Sequence, residues 1–186
     1  MKNQRVLLII MSICLSASFY VGANQGGGNH LVLNLVGSGG MYESFVPDIN
    51  GDNLDDPAIC FDVELVNMKN QQVIGTATDC LSNITAVGSG LALVGTSFFK
   101  MPNGTLITRG STTVQPVLHP TVTPNGINMT HITGASSDGN SIIDGTGRFE
   151  NATGTVRLSG MVDMTGFTGE VGTPIGFDCL FIIDLD

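Results

Sequence analysis

Short runs of β-type residues, separated by turn signals, recur along the chain and limit what it can fold into. The eight runs span residues 30–36, 58–66, 73–81, 91–101, 105–109, 126–133, 154–164 and 177–185. The breaks between them carry turn-forming residues, such as Pro102-Asn103-Gly104 and Ser137-Asp138-Gly139-Asn140. No segment shows the sustained apolar period of a helix. The pattern therefore predicts an all-β fold, either an antiparallel sandwich or a barrel.

The charge of the chain excludes two classes of partner. It has 7 Lys and Arg against 16 Asp and Glu, a net charge of −9. Nucleic acids and anionic lipids are bound by clustered cations, so we predict neither as a partner. A hydrophobic content of 42% with only 12% charged residues indicates a folded chain, not a disordered one.

The first 23 residues have the layout of a secretory signal peptide. Lys2 and Arg5 precede an apolar run over 6–15, and Val21-Gly22-Ala23 forms a small-residue cleavage site. The alternative, a retained anchor helix, is disfavoured because the run is too short to span a bilayer. We predict a single secreted or periplasmic domain over 24–186, with a net charge of −11 and no membrane span.

Export would leave three cysteines in an oxidising compartment. Cys60 and Cys80 lie symmetrically about a polar turn at 67–72, so a hairpin would place them opposite each other. Cys179, in the last predicted strand, is the alternative partner if the first and last strands meet. We favour the Cys60–Cys80 bond. No CxxC spacing supports a zinc site.

The acidic segment 48–56 resembles the short Asp-x-Asn-Gly-Asp calcium loops of secreted bacterial β-proteins. Its alternating oxygen donors match the ligand spacing of a hard cation such as Ca²⁺. These ligands would be Asp48, Asn50, Asp52, the Leu54 carbonyl and Asp56. Asn53 would make the sharp turn at the sixth position. The alternative is a solvated acidic turn, and in either case we expect a structural role.

Asp62 and Glu64 alternate with Phe61, Val63 and Leu65, which gives this strand one polar and one apolar face. In the predicted hairpin, Thr78 and Thr76 would lie opposite the two carboxylates. An outward polar face is the usual arrangement in antiparallel sheets. The alternative is that Asp62 and Glu64 point into a cavity.

Two segments in the second half carry specific patterns. Residues 99–104 read Phe-x-x-x-Asn-Gly, and residues 145–154 read Gly-Thr-Gly-x-Phe-x-x-Ala-x-Gly. They resemble the Phe-x-x-x-(Asp/Asn)-Gly hairpin and the Gly-Thr-Gly-x-(Phe/Tyr)-x-x-Ala-x-Gly segment of the allene oxide cyclase and dirigent barrel superfamily. The likeness covers about 91–165. It implies an antiparallel eight-stranded barrel, often oligomeric, with an apolar cavity.

The resemblance also implies a function. Members of the superfamily cyclise a reactive fatty-acid epoxide or steer radical coupling, mainly by restricting the substrate's conformation. We therefore expect a secreted isomerase or cyclase, or a steering protein, acting on an apolar small molecule. The alternative is a non-catalytic, calcium-stabilised extracellular binding or structural barrel. A hydrolase is disfavoured because there is no Gly-x-Ser-x-Gly elbow. No P-loop Lys-Ser/Thr or helix follows the Gly-x-Gly, so nucleotide binding is disfavoured. We predict no organic cofactor.

Few ionisable side chains lie on the predicted strands. The candidates for chemistry are Asp62, Glu64, Arg109, His131 and Arg157, and Asp79 and Asp178 are also available. Arg157 alternates with Val156 and Leu158 and could pair with Asp62 or Glu64. An exposed surface arginine is the alternative. None of these residues aligns with an active group of the superfamily.

Overall fold

The computed structural model describes residues 29–186, and the predicted signal peptide lies outside them. The described chain is built almost entirely of strands. They are β1 Asn29–Gly40, β2 Tyr42–Val46, β3 Asp56–Asn67, β4 Gln72–Val87, β5 Gly90–Met101, β6 Gly104–Val122, β7 Asn128–Ala135, β8 Ser141–Gly145, β9 Gly154–Asp163 and β10 Pro174–Leu185. A single 3-10 turn, Gly147–Phe149, precedes β9. Within 29–186, no helix is long and apolar enough to cross a membrane.

The strands close into an antiparallel barrel with eight strand positions, which confirms the predicted fold class. β1 closes the barrel by pairing with β10 on one side and with β3 on the other. β1 and β2 share one position because both pair with β3. β7 and β8 share another, between β6 and β9. The other strands are each hydrogen-bonded to the strands that precede and follow them in the chain, so the topology is an up-and-down meander.

All eight predicted runs fall on observed strands, but two strands and one extension were not predicted. β2 and β8 are each only five residues long. β6 continues from Arg109 to Val122 through Pro116 and Pro120. Proline cannot donate a ladder hydrogen bond, and the pairing of β6 with β7 is irregular between Pro116 and Thr121.

The interior of the barrel is filled mainly by alternate apolar side chains of the strands. Two edge-to-face aromatic pairs lie among them, Phe61 with Phe177 and Phe99 with Phe181, with ring centroids 5.1 and 5.2 Å apart. Leu33, Leu35, Leu65 and Ile183 are also fully or almost fully buried. Every second residue of a strand points inward, as expected for strands that have one buried and one solvent-exposed face.

The two segments that carry the family resemblance contact each other. The Arg148 amide donates to the Asn103 carbonyl at 2.9 Å, across the tips of the two turns. Gly147 has a φ of +59°, and a Cβ there would lie 2.4 Å from the Asn103 carbonyl oxygen. Gly154 has a φ of +146°, and its Cβ would lie 1.9 Å from the Asp184 carbonyl oxygen. Only glycine fits these close approaches.

The predicted disulfide is confirmed. Cys60 and Cys80 are directly opposite in the β3–β4 hairpin and are bonded. They belong to a small cluster on the outside of the barrel, with Val46, Ala58 and Phe98. Cys179, the alternative partner, is a buried free thiol in β10.

Candidate functional site

A cavity lies inside the barrel, bordered by β4, β5, β6, β7, β9 and β10. Its empty volume is about 600 Å³ when the open mouth is counted, and the centres of water-sized molecules can occupy about 40 Å³ of it. The apolar part of the lining includes Leu81, Leu93, Val114, Val156, Leu158, Val162, Met164, Ile175, Phe177 and Phe181. The space is therefore narrow and largely apolar.

Two glycines face each other on adjacent strands of the cavity wall. Gly95 of β5 and Gly110 of β6 are directly opposite each other, and both line the cavity. The place of a side chain at Gly110 is taken by the Asn140 carboxamide, because a Cβ there would lie 1.8 Å from Asn140 Oδ1. A Cβ on Gly95 would first meet the Thr112 hydroxyl, at 3.3 Å. A larger residue at Gly95 would therefore reduce the cavity.

Asp79 places a carboxyl group on the cavity wall. It is 5% exposed, and the Ser97 hydroxyl donates to its Oδ1 at 2.5 Å. Burial raises the pKa of Asp79 to about 7, although the bond from Ser97 acts to lower it. The carboxyl group can therefore hold or release a proton near neutral pH.

Asp79 was noted on a predicted strand but was not among the five candidates, although a signal for it was present in the sequence. Thr78 and Cys80 lie opposite Asp62 and Cys60 in the predicted hairpin, and this register is observed. Strand residues alternate between faces, so Asp79 has to share the face of Phe61. A carboxylate on an apolar face is the signal that could have found it.

The remaining polar lining includes threonine hydroxyls and one carboxamide. Thr108, Thr112 and Thr133 are buried and line the cavity. Asn140, in the segment between β7 and β8, is 2% exposed. Its Nδ2 donates to the Ser136 carbonyl oxygen, and its Oδ1 has no hydrogen-bond partner among the described residues.

The two strand carboxylates predicted as candidates lie outside the barrel. Asp62 and Glu64 are both exposed, so the outward polar face describes them and the cavity-facing alternative does not. Asp62 accepts hydrogen bonds from the Tyr42 hydroxyl at 3.2 Å and from the Thr78 hydroxyl. Lys100 Nζ donates to the Thr78 Oγ1 at 2.7 Å. These groups form a polar network on the outer surface.

The three predicted basic candidates are also dispersed. Arg109 projects outward and donates to the carbonyl oxygens of Pro47 and Asp48, the latter at 2.7 Å. Arg157 is exposed, and both Arg157 and Arg109 are among the residues that line the cavity. His131 is half-buried, lies 2.8 Å from the Thr130 hydroxyl through Nδ1, and is not part of the lining. The structure does not bring the five candidates together.

The predicted calcium loop folds back over the outside of the barrel. Asp48 accepts hydrogen bonds from the Gly51 and Asn53 amides at 2.6 and 2.7 Å. These bonds lower the pKa of the Asp48 carboxyl group. Asp56 accepts from the Ile49 amide at 2.5 Å. Asn53 has a φ of +66°, as the sharp turn at the sixth position requires.

The loop oxygens are thus engaged mainly by backbone amides. Asp52 Oδ1 accepts from the Leu54 amide, and Asn50 Oδ1 accepts from the Asp52 amide. Within 29–186, no group of three or more His, Cys, Asp or Glu side chains is arranged to hold a metal ion. Calcium binding by Asp48, Asn50, Asp52, the Leu54 carbonyl and Asp56 stays a prediction.

Comparison with known proteins supplies no family name. No protein-family model matches the chain, and no curated protein matches it.

Proposed function

We propose that this protein is a secreted member of the allene oxide cyclase/dirigent-like barrels. In this proposal it binds an apolar small molecule in its cavity and steers the cyclisation or isomerisation of that molecule. The observation that carries the proposal is the cavity itself, which is largely apolar and has a buried carboxyl group, Asp79, on its wall. Ligand pockets commonly combine an apolar lining with a few polar groups in this way.

The cavity would act mainly by restricting the shape of its ligand. A narrow space between Leu93, Val156 and Phe177 limits the conformers that a flexible chain can adopt before it reacts. Asp79 adds one group that can deliver a proton to a developing oxyanion, or remove a proton. Ser97 fixes the orientation of that carboxyl group through its hydrogen bond.

The disulfide supports the localisation in this proposal. The Cys60–Cys80 bond is the kind of cross-link that persists in an oxidising compartment. It agrees with the signal peptide predicted at 1–23, which would direct the chain out of the cytoplasm. These two features together support a secreted or periplasmic location.

Ligand binding can be tested by filling the cavity. We expect octanol to bind the purified protein in calorimetric titration, and Gly95→Val to weaken binding at least tenfold by occupying the cavity. Gly40→Val is the matched control, since a Cβ at Gly40 meets nothing within 4 Å. Equal binding by both variants would show that octanol does not bind in the cavity.

The chemical step needs its own test. An unsaturated fatty-chain epoxide is incubated with the protein, and the cyclised product is separated by chiral chromatography. We expect an excess of one enantiomer over the spontaneous mixture, and a smaller excess with Asp79→Asn. A racemic product from a protein that binds the epoxide would contradict the catalytic proposal.

A second candidate is a non-catalytic extracellular binding or structural barrel stabilised by calcium. Two features favour this candidate: the acidic loop lies over the disulfide, and Arg109 attaches the loop to the barrel. Both would stabilise the fold, and neither is a feature that a chemical step needs. This candidate predicts that a ligand extracted from the protein and identified by mass spectrometry is returned chemically unchanged after incubation.

A further inference from the structure

The barrel wall is interrupted between β7 and β8. β7 ends at Ala135, opposite Leu158 of β9, and β8 begins at Ser141, opposite Thr155. Residues 136–139 project outward and are exposed. One backbone hydrogen bond, from the Val156 amide to the Asn140 carbonyl at 3.3 Å, crosses the interruption.

A groove on the outside of the barrel lies next to the cavity at this interruption. Ala135, Arg157 and Leu158 line both the cavity and the groove. The groove continues over the half-buried side chains of Leu180 and Ile182 on β10. A molecule in the cavity therefore lies close to solvent at the β7–β8 interruption.

Asn140 is the polar group at this point, and its hydrogen bonding is incomplete. The bond from Nδ2 to the Ser136 carbonyl fixes the orientation of the carboxamide, because a reversed amide would place two oxygens together. Oδ1 then faces no donor among the described residues. It lies against Gly110, where a Cβ would be only 1.8 Å away. A buried acceptor without a donor is unfavourable and calls for an explanation.

We propose that Asn140 Oδ1 is the acceptor of a hydroxyl-binding subsite, and that the ligand is a slim neutral aliphatic molecule carrying an alcohol group. The inference rests on the proposed function and narrows its substrate class. The alcohol hydrogen completes the bonding of Asn140, while the aliphatic chain lies along the apolar lining. A carboxylate, an ether or an epoxide oxygen has no hydrogen to give to that atom. The proposed substrate therefore carries a hydroxyl in addition to any reactive group.

The subsite is tested first with the unmodified protein. Octanol and its isomer heptyl methyl ether have the same size, but only octanol donates a hydrogen bond. We expect calorimetry to show octanol binding about fivefold to tenfold more tightly, as one added hydrogen bond implies. Equal affinities would overturn the subsite and leave the proposed function standing. If neither compound binds, both proposals fail.

Variants assign the preference to a residue. In Asn140→Ala we expect octanol and the ether to bind equally, whereas Asn128→Ala, on an exposed asparagine of β7 that does not line the cavity, retains the preference for octanol. A preference that survives Asn140→Ala would overturn the assignment. Should Asn140→Ala fail to fold, the Asn140 side-chain amide resonance decides instead. It shifts with octanol and not with the ether if the subsite exists, and an unshifted resonance overturns it.

Discussion

Arg109 donates a hydrogen bond from Nη1 to the backbone carbonyl of Asp48, and so fastens the acidic loop to the outer surface of β6. Its Nε donates to the Thr96 hydroxyl at 3.2 Å, and Thr96 is fully buried. The residue predicted as a catalytic candidate is therefore placed as a clamp. It keeps the loop over the cluster that contains the disulfide.

Replacing Arg109 should loosen the loop without opening the barrel. We expect Arg109→Met to lower the free energy of unfolding by about 1–3 kcal/mol, because hydrogen bonds from a charged donor to buried or half-buried carbonyls are lost. Urea denaturation measures the change, and proteolysis should cut within 50–56 faster than in the parent. Arg157→Met, on an exposed arginine, should leave both unchanged. Identical stability of the two variants would contradict the clamp.

Calcium should stabilise the protein if the acidic loop binds it. At about a hundredfold excess over Kd, a single site adds roughly 2–3 kcal/mol to the free energy of unfolding. Melting curves in calcium and in a chelator measure this difference. Coincident curves would mean that the predicted site does not exist.

For each loop variant, the calcium effect is the difference between its stability in calcium and its stability in chelator. Asp48 already accepts two backbone amides, so Asp48→Asn should destabilise the protein even with chelator present. The lowered pKa of Asp48 also indicates that its ionised form stabilises the fold. This stabilisation is present above the ordinary pKa of 3.8 and is lost as pH falls through the lower pKa of the folded chain. Asp55→Asn, outside the predicted ligand set, should keep the full calcium effect.

Asp79 should make the protein less stable as pH rises towards neutrality. Its pKa is about 7 in the folded chain and 3.8 ordinarily, so between these values only the folded chain holds the proton. Stability therefore falls across this window, by roughly 4 kcal/mol in total, and is level above it. Burial keeps the pKa of the neighbouring Cys179 thiol well above this range, so that group adds no slope.

Asp79→Asn mimics the protonated side chain and can still accept from Ser97. We expect it to remove this part of the pH dependence and to be more stable than the parent above pH 7, measured by urea denaturation at several pH values. An unchanged slope would show that Asp79 is ionised in the folded protein.

The disulfide should contribute substantially to stability. It joins cysteines 20 residues apart, for which loop closure in the unfolded chain corresponds to about 3 kcal/mol. Reduction before chemical denaturation should show a loss of this size. The stability of the Cys60→Ala/Cys80→Ala variant should not change with the reductant. This control separates loss of the disulfide from effects of the reductant on buried Cys179.

Most of the fold could be predicted from the sequence because local alternation determines it. The β3–β4 hairpin, the opposition of Cys60 and Cys80 and the strand runs all follow from period-two patterning and turn residues. β8 could not be found this way, because Ile142 and Ile143 are followed at once by turn residues. The extension of β6 beyond Arg109 could not be predicted either, because Pro116 and Pro120 normally indicate the end of a strand.

The candidate site was predicted less well because a cavity is a long-range property. Gly95 and Gly110 are 15 positions apart in sequence and lie together on the cavity wall only because β5 and β6 pair in this register. Asp79 lies on the wall because β4 turns its odd-numbered residues inward. The charged residues that stood out in sequence, such as Arg109, did so because charge is rare in this chain, and their surroundings could not be foreseen.

The pairing of β1 with β10 has a consequence for how the chain reaches its folded state. Residues at opposite ends of the domain must meet before the barrel is sealed, so contact order is high and folding should be slow. Until β10 has been synthesised, β1 and β9 both present open edges that can recruit other chains. Nascent or truncated forms are therefore exposed to edge-to-edge aggregation, and a chaperone that shields strand edges would protect them through that interval.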